Sequence, residues 1–243
     1  MILRRLEGSR FSEVARVWEG LTVAVIACGP SLTGYQVEAV WLAHEADRLR
    51  CIAVNDAYLW ASFADVHYAA DSHWHKWHSD GIAKPKLGFT AEHVRARWAA
   101  FGGEKCTIES SGSNVTDQAV HMLRNRDHPN HGNGLSLDPQ VLVTGRNSGF
   151  QALNLAILAG AKRVLLLGFD GAQNAEGRDH FHGGHPRPTP VAAYPLYRQA
   201  MSAAQNAILE AGVEVINCAP GSQIDAFARM DLGDALNWSG ENA

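Results

Sequence analysis

The chain has 243 residues, 46% of them hydrophobic and 19% charged, with a formal net charge of −4. That is enough apolar material for one large domain with its own core. The absence of a basic excess argues against duplex nucleic acid as the main partner, while leaving room for small anions held by one arginine or one helix end. The longest apolar run, Ala152–Ala161, is broken by Asn154 and Gly160 and is too short to cross a bilayer. The first twenty residues mix both charge signs and lack a signal-peptide core. The four cysteines (Cys28, Cys51, Cys106, Cys218) show no C-x-x-C spacing. Reduced thiols in a cytoplasmic protein are therefore expected.

In chain order, residues 4–18 read as an amphipathic helix carrying Leu6, Val14, Val17 and Trp18 on one face. Val23–Cys28 is a buried strand closed by Gly29-Pro30-Ser31. Gln36–Arg48 is a helix with Val37, Val40, Trp41 and Leu42 as its apolar side. Cys51–Val54 is a strand ending at Asn55-Asp56, and Val66–Ala70 a strand ending at Asp71. The next helix starts at Asp71 or Ser72, both good N-caps. Ala91–Phe101 is helical. Residues 104–138 combine a strand with an irregular excursion, a candidate lid.

Val141–Thr144 is again a strand, followed by the polar turn Gly145-Arg146-Asn147-Ser148-Gly149, an apolar helix, and the strand Arg163–Leu167 that stops at Gly168-Phe169-Asp170. Residues 173–190 are irregular, a second candidate lid. Tyr194–Ala211 is a helix, Val213–Asn217 a last strand, and Ile224–Trp238 a helical tail. Strands alternating with helices at this spacing predict an α/β, Rossmann-like three-layer sandwich with a mostly parallel sheet, here a single domain over residues 1–243. The strands are nearly continuous Val/Ile/Leu/Ala, as strands covered on both faces must be.

In such sheets ligands bind at the carboxyl ends of the strands. Gly29 permits a tight turn and close approach to a ligand, Pro30 stiffens it, and Ser31 can donate a hydrogen bond or cap a helix. At Asn147-Ser148-Gly149 the free N–H groups of a helix start favour an anion, with Arg146 able to add a charge-assisted bond. An ordinary turn and an ordinary cap are the plainer readings of each. Asp56, Asp71 and Asp170 stand at strand ends, where they can cap helices or converge to hold Mg²⁺ or a ribose. His180-Phe181-His182-Gly183-Gly184-His185-Pro186 is the best candidate for acid–base chemistry, because histidine titrates near neutral pH. A polar loop and a transition-metal site are its alternatives. In the second histidine cluster, residues 71–78, Trp74 and Trp77 fit core packing better than stacking on a ligand. Cys28 reads as a small inert side chain.

The order G-P-S-L, V-N-D-A-Y, A-D-x-x-Y-A-A-D, N-S-G with a helix, L-L-G-F-D and H-x-H-G-x-H-P resembles phage and prophage proteins often labelled hypothetical, over almost the whole chain. More distantly, on short motifs, it is similar to the bacterial family 42 sialyltransferases and to the family of an archaeal 6-hydroxymethyl-pterin pyrophosphokinase. The sialyltransferase resemblance implies a nucleotide-sugar donor, a histidine base and no metal. Gly29, Pro30 and Ser31 would then line the nucleotide site, Asn55 would contact the nucleotide, and Ser148 and Gly149 its base or phosphate. Asp170 would close the next strand, and the base would fall among His180, His182 and His185. That family has Asn where this chain has Cys28, and two phosphate-contacting tyrosines where Ala172–Asp179 has none; Arg178 can stand in. Asp71 suits the pyrophosphokinase relatives.

The leading expectation is a glycosyltransferase-like enzyme with a nucleotide-linked donor, no required cofactor and an unidentified acceptor. It would act in the cytoplasm, the host's if phage-encoded. The alternatives are a pyrophosphokinase-like transferase using ATP with Mg²⁺ on Asp71 and Asp170, or a nucleotide-binding phage protein without turnover. A homo-oligomer is compatible with all three.

Overall fold

The computed structural model describes residues 1–109, 115, 117–126, 134–182, 185 and 188–237. Where a helix was expected over residues 4–18, the chain forms an antiparallel hairpin of β1 (Leu3–Arg5) and β2 (Ser12–Val14), with Leu3 opposite Val14. The reason is local. Gly8 turns the chain with φ +66°, and Leu3 and Val14, facing each other across the pair, are both buried.

From there strands and helices alternate: β3 (Thr22–Ile26), α1 (Gly34–Glu45), β4 (Arg50–Val54), a 3₁₀ turn over Asn55–Leu59, β5 (Val66–Tyr68), α2 (Ser72–Asp80), α3 (Ala91–Ala100), β6 (Glu104–Ile108), β7 (Val120–Arg126), β8 (Val141–Val143), α4 (Ser148–Leu158), β9 (Arg163–Leu167), α5 (Ala193–Glu210), β10 (Glu214–Asn217), β11 (Ala228–Arg229) and α6 (Leu232–Asn237). Among the described residues nine strands form one sheet in the order β11-β10-β9-β3-β4-β5-β6-β7-β8. Every ladder in it is parallel. The protein is an α/β protein with a Rossmann-like sheet flanked by helices.

Alternate strand residues feed two cores. Val23, Val25, Ile52 and Val54 pack with the buried faces of α4 and α5. Ala24, Ile26, Cys51 and Ala53 pack with α1, α3 and α6. On α1 the buried stripe is Gln36, Val37, Val40 and Ala43. Trp41 and Leu42, expected on the apolar side, are 42% and 55% exposed, because they fall off that i, i+4, i+7 stripe.

The expected strand-plus-excursion over 104–138 contains two sheet strands, β6 and β7, paired with each other. The expected C-terminal helix from Ile224 is a short strand, β11, and the six-residue α6; Trp238 lies outside the described residues. Among the described residues no helix is long and apolar enough to cross a membrane.

The topology fixes where a ligand can enter. From β3 the chain steps outward to β8, then crosses back through α4 to place β9 on the other side of β3. The connections leaving β3 and β9 diverge, which opens a crevice at their carboxyl ends.

Candidate functional site

A crevice of about 530 Å³ lies at those strand ends, lined by the segments that follow β3, β4, β5, β8 and β9. Gly29 and Pro30, Asn55, Asp71, the turn Arg146 to Gly149, and Asp170 all contribute to its wall. Asn55 and Arg146 hold left-handed backbone, φ +50° and +63°. Asparagine tolerates that region, whereas for arginine it carries strain, which clusters at functional sites.

Gly29 is required by space. A Cβ there would stand 1.9 Å from Asp170 Oδ2 and 2.3 Å from the Gly168 carbonyl oxygen. The Asp170 carboxylate is tied to the neighbouring turn, accepting from the Ser31 N–H at 3.1 Å and the Ser31 hydroxyl at 2.9 Å. Ser31 thus works behind the wall, orienting Asp170. Burial lifts the Asp170 pKa from 3.8 to about 6, against the opposing pull of those two bonds.

At the start of α4, the Asn147 side chain caps the Phe150 N–H at 2.8 Å, and the Asn147 carbonyl takes that of Gln151. The N–H groups of Ser148 and Gly149 have no protein acceptor among the described residues and sit in the crevice wall. Gly149 is again close-packed, with a Cβ position 2.9 Å from the Phe169 ring. Two free donors and the positive end of an eleven-residue helix suit an anion.

The histidine loop divides in two. His180 and His185 line the crevice, their rings stacked at 4.7 Å between centroids and 8° between planes. His180 Nδ1 lies 2.9 Å from Asp179 Oδ1. Asp179 in turn accepts the Thr189 N–H at 2.8 Å. Burial lowers the His180 pKa, and the Asp179 carboxylate opposes it. His182 is placed elsewhere: it is buried, with Nε2 2.9 Å from Asp56 Oδ2. Gly183, Gly184 and Pro186 lie outside the described residues. Arg178 is outside the crevice lining, its guanidinium 2.9 Å from Glu176 on the surface.

Asp56, expected with Asp71 and Asp170 at a common crevice, is 1% exposed and turned inward. Its Oδ1 accepts from Trp74 Nε1 at 2.8 Å and faces His78 Nε2 at 2.9 Å. Its Oδ2 accepts from Lys84 Nζ at 2.5 Å besides facing His182. Burial alone would raise its pKa, but the His182 and His78 bonds and the Lys84 charge outweigh that and hold it well below the ordinary carboxylate value.

In the second histidine cluster, Asp71 is the N-cap of α2, accepting the His73 N–H at 2.8 Å. Trp74 is core, stacked on His78 at 3.8 Å, whereas Trp77 reaches the crevice wall. His75 is buried with Nε2 3.0 Å from the Ala69 carbonyl oxygen. The Cys28 thiol donates to the Val54 carbonyl and is pushed up by burial, which suits an inert side chain.

Several wall residues were not singled out from sequence. Asp179, Tyr194 and Tyr197 line the crevice, the tyrosines one turn apart on α5. So do Asn125 and Thr144, joined by a 2.7 Å bond from the threonine hydroxyl. An acid beside a histidine was a usable signal for Asp179. Among the described residues, no group of three or more His, Cys, Asp or Glu gathers in a metal-binding arrangement. Comparison with protein-family models, curated proteins and solved structures finds no match to this chain.

Proposed function

We propose that this protein is a glycosyltransferase-like enzyme that uses a nucleotide-linked sugar donor, with His180 as general base. The observation that carries the reading is the pair Asp179–His180 at the wall of the same crevice as the open start of α4. With Nδ1 turned to a carboxylate, the imidazole keeps Nε2 as the proton acceptor, an arrangement that fixes tautomer and orientation. The acceptor hydroxyl oxygen would attack the anomeric carbon and its proton would pass to His180. The bond from that carbon to the phosphate oxygen would break. The departing nucleotide would be met by the Ser148 and Gly149 N–H groups, with Arg146, Tyr194 and Tyr197 in the same wall.

The Mg²⁺-dependent reading finds less support. Both Asp170 oxygens are occupied by Ser31, and Asp71 Oδ1 by its own helix. Thermal shifts with a panel of nucleotides, with and without Mg²⁺, separate the readings. Stabilisation by CMP or UDP without metal is the expected result. Stabilisation by ATP only with Mg²⁺ would favour the phosphoryl-transfer reading, and no shift with any nucleotide would sink both. For the base, donor hydrolysis in His180→Gln should fall by roughly 10²–10⁴-fold. An unchanged rate removes His180 from the mechanism.

A further inference from the structure

The segment carrying His180 has no helix or strand to hold it. Residues 173–182 contain neither, so its position comes from its anchors. The Phe181 N–H donates to the Cys28 carbonyl at 3.0 Å. The Phe181 ring packs on Trp60 with centroids 4.3 Å apart. His182 reaches the buried Asp56 carboxylate. The first two tie the loop to the ends of β3 and the 3₁₀ turn by one neutral bond and one ring contact. The third brings an imidazole nitrogen within 2.9 Å of a buried carboxylate, shielded from water, where an electrostatic contact is stronger than on the surface.

Asp56 also bonds in three directions away from the loop. Trp74 and His78 come from α2, and Lys84 from the segment after it. Tyr58 backs His78, with its hydroxyl 2.8 Å from His78 Nδ1, while His78 Nε2 faces Asp56. Trp74 Nε1 and Lys84 Nζ hydrogen-bond the carboxylate, and the His78 and His182 rings each face it at 2.9 Å. The preceding residue, Asn55, is in the crevice wall, and its left-handed backbone is what turns Asp56 inward. One peptide therefore sends one side chain to the donor wall and the next to the rear of the histidine loop.

We infer that Asp56 is a positioning residue for the catalytic loop: through His182 it holds residues 179–182 so that His180 faces the crevice, and it does so from the same turn that presents Asn55 to the nucleotide. Its link to catalysis rests on the reading of His180 as base. The held position of the loop does not.

The test uses the full chain with three substitutions: Asp56→Asn, His182→Ala and His182→Gln. Amide hydrogen exchange is followed over residues 178–190, with β9 and α4 as internal references. Exchange in the loop should accelerate about tenfold or more in Asp56→Asn and His182→Ala, since the buried contact with the carboxylate is lost. It should return most of the way in His182→Gln, whose amide can still donate to Asp56. NMR titration of the His180 ring should show its pKa rising toward the ordinary histidine value as the loop loosens. Loop exchange and His180 titration unchanged in both Asp56→Asn and His182→Ala would overturn the inference. So would equal acceleration in His182→Ala and His182→Gln. If Asp56→Asn does not fold, the His182 pair decides alone. The base assignment fails separately: if His180→Gln hydrolyses donor at the wild-type rate while the Asp56 variant loosens the loop, Asp56 still positions the loop and His180 is not the base.

Discussion

Replacing Asp170 by Asn should stabilise the protein, and by an amount that depends on pH. Burial lifts the Asp170 pKa from 3.8 to about 6. Between those values the folded protein holds a proton that the unfolded chain has released. Stability therefore falls as pH rises through that window and levels off above it. A gap of about two pH units corresponds to ~3 kcal/mol, an upper figure for the cost of keeping this carboxylate ionised at neutral pH. Asparagine carries no charge at any pH; its oxygen can accept the Ser31 N–H, and its NH2 can donate to the Ser31 hydroxyl oxygen, which reverses that bond. The variant should match wild type near pH 4 and exceed it by up to ~3 kcal/mol above about pH 7. For a chain of this length that is a rise of roughly 6–12 °C in Tm. Urea unfolding of both proteins across that pH range is the assay. A stability difference that stays constant with pH would refute the reasoning. A carboxylate retained at such a cost in a crevice wall fits a functional role better than a structural one.

Three further outcomes follow from packing and charge. Gly29→Ala should lose roughly 1–3 kcal/mol in denaturant unfolding, because the new methyl meets the Gly168 carbonyl as well as Asp170; adding Asp170→Ala should recover only part of it. Asn147→Ala removes the cap on Phe150 and should cost about 0.5–2 kcal/mol, together with a smaller thermal shift on nucleotide addition. Lys84→Met leaves Asp56 charged and buried without its cation, and should cost about 3–5 kcal/mol by chemical denaturation. Most of that should return in the Lys84→Met, Asp56→Asn double variant.

The central strands were legible because burial on both faces leaves an unbroken apolar run, as in Val164 to Leu167 or Cys51 to Val54. The same rule hid β7. Its residues Arg124, Asn125 and Arg126 lie toward the sheet edge and read as loop. The N-terminal segment was misread because Leu6, Val14 and Trp18 fit a helical stripe by number, while Gly8 decides the turn. Crevice residues such as Gly29, Asn55 and Asp170 were legible since they stand directly at strand ends. The Asp56 cluster was not. Lys84 is 28 positions from Asp56, and no periodicity links Asp56 to His78, Lys84 or His182. Tyr194 and Tyr197 read only as part of the helix Tyr194–Ala211, and only the placement of α5 beside the crevice puts them in its wall.

The pairing of β3 with β9 also orders events during synthesis. Ser31 and Asp170, which meet in the crevice wall, are 139 positions apart. A growing chain can align β3 with β4 and β5 soon after they emerge, yet the other edge of β3 stays open until β9 follows. Until then the crevice does not exist, and an apolar strand with unpaired backbone groups is exposed to wrong partners. Such distant pairings are slow to close. Truncated chains ending before β9 should therefore be prone to aggregate, and the crevice should arise late, as one of the last features the folding protein acquires.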